Sequence, residues 1–220
     1  MEPLIVISVA VIVMAVSYVR FVEAQRRRRA RMALAERLGL HFEPQKDRDL
    51  AERYRFLSKL QTGGNRYAFN TFWGNYRGHD MTVFDWHYET GGRSRSHYYF
   101  SCFILHLPRL VPKLTIVKEE FSSKIAQALG YDDIDFESHE FSRTFCVRSP
   151  DKKFAYDVCH ARMIEYLLAN DDLTIEMGQD VLAITSRYRL DLEDIEPNLN
   201  RLVTLRSLIP EYLFSGSTTR

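Results

Sequence analysis

The stretch LIVISVAVIVMAV, residues 4–16, decides the organisation of this 220-residue chain. No charged side chain occurs between Pro3 and Val19, and the apolar run extends over residues 3–22 if Arg20 reaches back to water. A 20-residue α-helix spans about 30 Å, the thickness of the hydrocarbon core of a bilayer. The sequence therefore predicts one transmembrane anchor over residues 1–22.

The charges on either side of this run predict its orientation. Glu2 precedes it, and no small-residue cleavage site follows it, whereas a cleaved signal peptide has its positive charge in front. The run is followed by a block of arginines: Arg20, Arg26, Arg27, Arg28, Arg29 and Arg31. The positive-inside rule then predicts an N-terminus outside the cell and a cytoplasmic domain after the anchor.

The arginines from Arg26 to Arg29, with Arg31, also predict contact with the bilayer surface. Their role as a topology signal is sufficient to explain these arginines. Each arginine near anionic headgroups also adds about 1 kcal/mol of attraction to the bilayer. Nucleic acid is a poor candidate partner because the net charge is only +1 and no basic face recurs downstream.

The rest of the chain predicts an α+β fold. Residues 23–39 read as a basic juxtamembrane helix that ends at Gly39, residues 40–214 as the globular domain, and residues 215–220 as a disordered tail. Strands are predicted over residues 67–76, 81–90 and 97–107, and the short glycine-containing turns between them favour an antiparallel meander. Both faces of these strands are partly apolar, so we expect helices to cover much of the sheet.

Further elements follow from local patterns. The predictions are a helix over 47–60, a turn between Pro108 and Pro112, a strand over 113–118, a helix over 121–129, a strand over 140–148, a helix over 151–169, a hairpin of 173–177 and 181–188 around Gly178-Gln179, and a last helix from Pro197 to Pro210.

Motifs for cofactors and metals are missing from the sequence. There is no GxGxxG or Walker pattern, so no cofactor is predicted. Cys102, Cys146 and Cys159 form no CxxC pair and read as buried free thiols. His87, His97 and His106 would converge only in a suitable strand register, and the acidic run 132–137 lacks the glycine and final glutamate of an EF-hand. We therefore predict no metal site.

Asp85 and His87 are the best candidates for chemistry. They share one face of a predicted strand, and Ser101 or Cys102 on the next strand would have to supply a nucleophile. No GxSxG or papain-like context supports either residue. A hydrolase-like or small-ligand-binding domain with its site near Asp85 and His87 is therefore the alternative reading.

Aromatic side chains are the most distinctive feature of the predicted sheet. Large rings either fill a core or anchor a partner protein, and Trp73, Tyr76, Tyr98 and Tyr99 are the candidate anchors. With no coherent catalytic motif, the leading hypothesis is a non-enzymatic, membrane-tethered interaction or scaffolding domain with an unknown protein partner. The sequence leaves the oligomeric state open, a homo-oligomer included.

Several blocks resemble an uncharacterised family of single-pass bacterial membrane proteins. The blocks are Phe69-Asn70, Gly74-Asn75-Tyr76-Arg77-Gly78, Val83-Phe84-Asp85, Asp133-Ile134-Asp135-Phe136-Glu137 and Glu140-Phe141-Ser142-Arg143-Thr144-Phe145. The resemblance covers nearly the whole chain and implies a location in the bacterial inner membrane. It implies no catalytic residues.

Replacing Arg26, Arg27, Arg28 and Arg29 with neutral residues is expected to weaken or invert insertion, because these guanidinium groups resist transfer across lipid. Protease protection in membrane vesicles measures this directly. Protection identical to that of the unchanged chain would contradict the topology.

Overall fold

The computed structural model describes residues 2–92, 94–121 and 132–215, and it begins with one continuous helix, α1, over Glu2–Leu38. Its N-terminal half is long and apolar enough to cross a membrane, and that apolar stretch is exposed. At about 1.5 Å per residue, the 37 residues of α1 extend for about 55 Å. The predicted anchor and the predicted juxtamembrane helix are therefore one element.

The end of α1 is fixed to the globular domain. Gly39 has a φ of +70°, and the amide of Leu40 donates to the carbonyl of Ala35 at 2.8 Å, which is the pattern of a Schellman cap. Leu34 and Ala35 are buried in the main core, and Arg37 forms a 2.7 Å ion pair with Glu196. The predicted stop at Gly39 is confirmed.

The domain is built on a six-stranded antiparallel sheet. Its strands are β1 (His41–Glu43), β2 (Gly64–Tyr76), β3 (His79–Thr90), β4 (Ser96–Lys118), β5 (Phe145–Arg148) and β6 (Thr174–Thr185). The first four pair in chain order; β4 then pairs with β5 through residues 115–118, and β6 lies along its other edge. The predicted α+β class and the meander are confirmed, whereas β1 was not predicted.

Short helices cover both faces of this sheet. They are α2 (Asp49–Arg53), a 3-10 turn (Ser58–Gln61), α3 (His139–Thr144), α4 (Lys152–Val158), α5 (Ala161–Leu168), α6 (Ile195–Leu208) and α7 (Tyr212–Ser215). Along β3, Met81 and Val83 enter the main core with α3 to α7, while Phe84 and Trp86 enter a second core beneath α2. The predicted division of β3 into two apolar faces is correct.

Two predicted chain reversals are wrong, and both lie where β4 and β6 bend together. Pro108 and Pro112 stand inside β4, where its register with β6 shifts on either side of Val111. A proline donates no hydrogen bond, so it fits at such an irregularity. The partner of Val111 is Gln179, whose φ is +52°. The predicted turn and the predicted hairpin are therefore a bend within two continuous strands.

The predicted helix over 47–60 is much shorter in the structure. The N-cap of α2 is Arg48, one residue after the predicted cap Asp47, whose carboxylate accepts from the amide of Leu50 at 2.8 Å. The backbone of Asp47 also pairs with Ala68 of β2, and the buried carboxylate of Glu176 accepts from the amide of Ser58 at 2.6 Å. Backbone groups that a longer helix would pair within itself are therefore hydrogen-bonded to residues distant in sequence.

The predicted strand over 140–148 begins as α3, because Ser138 caps that helix and Phe141 is buried on it. The predicted helix over 151–169 starts at the cap Asp151 as expected, but it breaks at Cys159-His160 into α4 and α5. The predicted helix over 121–129 lies outside the described residues beyond Phe121, as does the predicted tail beyond Ser215.

The Leu34→Ala variant is expected to lower the free energy of unfolding of the domain by about 2–5 kcal/mol, because it leaves a cavity in the main core. Met32→Ala, an exposed position on the same helix, is the matched control and should change it little. Denaturant unfolding of the detergent-solubilised chain measures both. Equal stability of the two variants would show that α1 is not part of the domain.

Candidate functional site

A buried carboxylate lies where the sheet meets α1. Asp85 is 7% exposed in the middle of β3, between Phe69 of β2 and Ser101 of β4. Its Oδ1 accepts from the hydroxyl of Ser101 at 2.9 Å, and its Oδ2 accepts from the side-chain amide of Asn70 at 2.7 Å. Nε of Arg189 lies 3.4 Å from Oδ2. The carboxylate is thus held from three sides.

A bulge in β2 places Asn70 in this group. The register between β2 and β3 shifts between Phe69 and Phe72, and Asn70 has a φ of +50°. Asparagine adopts this left-handed conformation more readily than most residues do, and a bulge redirects a side chain out of the regular alternation. The bulge turns the amide towards Asp85.

Burial dominates the electrostatics of this group. It raises the pKa of Asp85 above the ordinary value, while the hydrogen bonds from Asn70 and Ser101 and the charges of Arg189 and Arg31 oppose that shift. Burial also lowers the pKa of Arg31, and the charge of Asp85 opposes it. Arg31 comes from α1, so one charge network joins this helix to the centre of the sheet.

This position corrects the sequence-based assignment of Arg31. It is half-buried against the domain, where it lines a cavity of about 10 Å³ with Asn70, Asp85 and Ser101, whereas the sequence grouped it with the arginines predicted to contact the bilayer. Such a cavity admits no more than about one water molecule. The other four predicted arginines, Arg26, Arg27, Arg28 and Arg29, are exposed along α1.

Asp85 and His87, the two candidates for chemistry, bond to different partners. The ring of His87 is 1% exposed, with Nδ1 3.1 Å from the carbonyl of Asn65 and Nε2 3.0 Å from Nδ1 of His97. Ser101, one of the two candidate nucleophiles, uses its hydroxyl for structural hydrogen bonds. The hydroxyl donates to Asp85 and accepts from the amide of Leu190 at 3.0 Å.

The other candidate nucleophile is also excluded. Cys102 points into the second core on the opposite face of the sheet, and burial raises the pKa of its thiol. The thiolate is the nucleophilic form of cysteine, so a buried thiol of this kind is inert. Ser101 is hydrogen-bonded on both sides and Cys102 lies on the opposite face, so neither is placed as a nucleophile beside Asp85 and His87.

Two of the three predicted histidines meet, and a carboxylate joins them. Glu89 Oε1 lies 3.5 Å from Nδ1 of His97 and 4.0 Å from Nε2 of His87. His106 lies elsewhere, with Nε2 3.1 Å from the hydroxyl of Tyr54 and Nδ1 3.6 Å from Asp180. The group that could hold a metal ion is therefore His87, Glu89 and His97.

A second group of possible metal ligands in the described part of the chain has structural partners. It comprises Glu119, Asp133 and Cys146. Asp133 Oδ1 accepts from the amides of Ile134 and Val147, at 2.9 and 2.8 Å, and thereby ties the acidic run to β5. The guanidinium of Arg148 donates to the sulfur of Cys146 at 3.1 Å.

The four aromatic candidates do not form one surface. Tyr76 is buried, and its hydroxyl donates to Asn200 of α6 at 2.9 Å, so it is not exposed as predicted. Trp73, Tyr98 and Tyr99 are 41%, 45% and 42% exposed. Trp73 pairs in register with Thr82, and Tyr98 pairs with Tyr88, which lies six residues further along β3. Trp73 and Tyr98 are therefore separated by about 20 Å along the strand direction.

Sequence reasoning missed several members of these two groups. The site residues that were not predicted are Asn70, Arg189 and Glu89, because their roles depend on strand register and on a bulge. The turn Gly91-Gly92 was the available indication for Glu89, because a hairpin closing there brings it opposite His97. A buried amine was also missed: burial lowers the pKa of Lys59 to about 8, and its Nζ donates to the carbonyl of Ser186 at 2.6 Å.

No family model matches this sequence, and no curated protein matches it significantly, which is consistent with an uncharacterised family. Among solved structures, the fold is similar to the crystal structure of the mycobacterial trehalose monomycolate transport factor A, TtfA, with a TM-score of 0.57. The sequences are 15% identical, and the likeness covers 83% of this chain and 95% of that chain. At this identity the likeness shows a shared fold.

Asp85→Asn is expected to change how stability depends on pH. A carboxyl group whose folded pKa is raised contributes stability below its unfolded pKa and loses it as the pH rises through the folded value. The free energy of unfolding of the original chain, relative to Asp85→Asn, should therefore fall as the pH rises above 3.8.

Denaturant unfolding across this pH range measures the difference, and Asp180→Asn at an exposed carboxyl is the control. Asp85→Ala should be about 1–3 kcal/mol less stable than Asp85→Asn, because it leaves buried donors without an acceptor. Parallel stability curves for the original chain and Asp85→Asn would contradict the burial of this charge.

Proposed function

We propose that this chain is a single-pass membrane protein whose cytoplasmic domain is not an enzyme but positions a protein partner next to the bilayer. The observation that supports this is the continuity of α1 from its apolar half into the main core. Leu34 and Ala35 of the same helix are core residues, and Arg37 pairs with Glu196. The domain is therefore fixed to its anchor, without a flexible linker between them.

The distance between the bilayer and the domain is short under this proposal. If the span ends near Val22, Arg27 and Arg31 follow after five and nine residues, or about 8–14 Å. They line a recess with Arg189, Asp191 and Leu192. A rigid connection of this length lowers the entropy cost of binding a partner in the same membrane, because the binding surface is already oriented.

The charges of α1 support the proposed orientation. Arg26 to Arg29 are exposed just after the apolar stretch, where the positive-inside rule places the cytoplasmic face and anionic headgroups attract them. We propose the bacterial inner membrane as the location, in keeping with the family that the sequence resembles.

The fold likeness supports an accessory role. TtfA is named as a transport factor, and nearly all of that chain is matched by this one. We propose that this chain likewise serves as an accessory subunit of a membrane-associated transport assembly. Trp73 and the Tyr98-Tyr99 pair are the proposed partner contacts, and because they lie apart they are to be tested separately.

Inserting a flexible Gly-Ser segment of five residues between Ala24 and Gln25 is expected to reduce co-purification of the partner several-fold while the domain stays folded. The insertion breaks the rigid connection and leaves every domain residue unchanged. The measurement is quantitative capture from gently solubilised membranes, with the same segment inserted after Ser215 as the control.

Trp73→Ala, Tyr98→Ala and Tyr99→Ala should identify the contact, with the exposed Tyr212→Ala as the matched aromatic control. Capture that is insensitive both to the insertion and to all three substitutions would overturn the proposal. Recovery of a partner-free monomer under every condition would do so as well.

A further inference from the structure

We propose that His87, Glu89 and His97 bind one divalent transition-metal ion of the Zn²⁺ class at the end of the β3–β4 hairpin. The register places these residues together, because Glu89 pairs directly with His97 and His87 pairs with Tyr99. Side chains two apart on a strand share a face, so all three side chains extend from the same side of the hairpin.

The distances between the ligand atoms suit a tetrahedral ion. Zn–N and Zn–O bonds of about 2.1 Å at tetrahedral angles place neighbouring ligand atoms about 3.4 Å apart. The separations here are 3.0 Å between the two imidazole nitrogens, 3.5 Å from His97 to Glu89 and 4.0 Å from His87 to Glu89. A small shift of the exposed His97 adjusts the first two separations, and a small shift of the Glu89 carboxylate adjusts the third.

The hydrogen bonding of His87 prepares it as a ligand. A carbonyl oxygen only accepts, so the contact with Asn65 requires the proton of the neutral ring to be on Nδ1. The lone pair on Nε2 then points towards His97 and Glu89. Metal-binding histidines commonly use this arrangement, in which the far nitrogen donates to a backbone carbonyl that fixes the tautomer.

The ring of His87 is also fixed in orientation. It lies between Tyr67, with ring centroids 4.4 Å apart, and Tyr99, with centroids 4.9 Å apart. Packing of this kind holds a ligand in place before the ion arrives, which lowers the entropy cost of binding.

The carboxylate of Glu89 is supported in the same way. Oε1 accepts from the side-chain amide of Asn65 at 2.5 Å, and Oε2 lies 3.5 Å from the guanidinium of Arg95. The hydrogen bond from Asn65 and the nearby guanidinium of Arg95 hold the carboxylate of Glu89 in the position that a ligand needs. Asn65 thus orients both Glu89 and His87.

The fourth ligand is water. His97 is exposed, and Glu89 borders an open cleft whose walls include Gly63, Gly64 and Gly91. A Cβ on Gly63 would lie 2.4 Å from the carbonyl of Glu89, so only glycine permits this close approach of β2 to β3. Two imidazoles, one carboxylate and one water make a complete tetrahedral set. The ion would join β3 to β4 directly, and β2 through Asn65.

Titration of the metal-free, detergent-solubilised full chain with Zn²⁺, followed by calorimetry, tests the site. One ion per chain is expected, with a higher melting temperature in its presence. His97→Ala removes an exposed ligand and should weaken binding at least about tenfold, as should Glu89→Gln. The matched control, exposed His139→Ala, should bind as the original chain does.

Co²⁺ gives a second readout, because four-coordinate Co²⁺ absorbs visible light strongly and the hexa-aqua ion does so weakly. The expected spectrum is that of a four-coordinate ion, lost in His97→Ala. Equal affinities for the original chain, His97→Ala and His139→Ala would overturn the proposal. So would the absence of stoichiometric binding, which would leave the two histidines sharing a proton in place of an ion.

Discussion

The burial of the last turns of α1 in the main core is the constraint on which the rest of the structure depends. Leu34 and Ala35 can be core residues only if the helix leaves the domain in one fixed direction. The apolar half of the same helix, which is long enough to cross a membrane, must follow that direction, since no break interrupts Glu2–Leu38. The orientation of the sheet relative to this apolar half is therefore set by packing inside the domain.

Arg31 shows how charge and packing are combined at this junction. An arginine immediately after a membrane span is normally explained by topology alone, and its exposed neighbours Arg26 to Arg29 fit that explanation. Arg31 instead faces Asp85, a carboxylate that is costly to bury and is held by Asn70, Ser101 and Arg189. A buried network of this kind specifies one arrangement of α1 against the sheet.

The features that sequence could predict are those governed by local periodicity. The alternation of Met81, Val83, Phe84 and Trp86 predicted two apolar faces on β3, and the apolar run of residues 4–16 predicted the anchor. The turns at Pro108 and Gly178-Gln179 were mispredicted because a bend shared by two paired strands has the same residues as a reversal. Only tertiary pairing of β4 with β6 distinguishes them.

The candidate sites were less accessible because they depend on register. Asp85 and His87 share a strand face, yet each bonds to residues from other strands, and a one-residue slip would change those partners. The cluster of His87, Glu89 and His97 exists because the turn after Thr90 closes with Glu89 opposite His97.

The anchor and the domain are expected to move as one body. Spin labels on cysteines introduced at Ala24 and Tyr212, in a chain reconstituted into bilayer nanodiscs, test it by the distribution of distances between them; the native Cys102, Cys146 and Cys159 are buried. A single narrow distribution is predicted, and it should broaden when a flexible segment follows Ala24. A broad distribution in the uninterrupted chain would contradict the account.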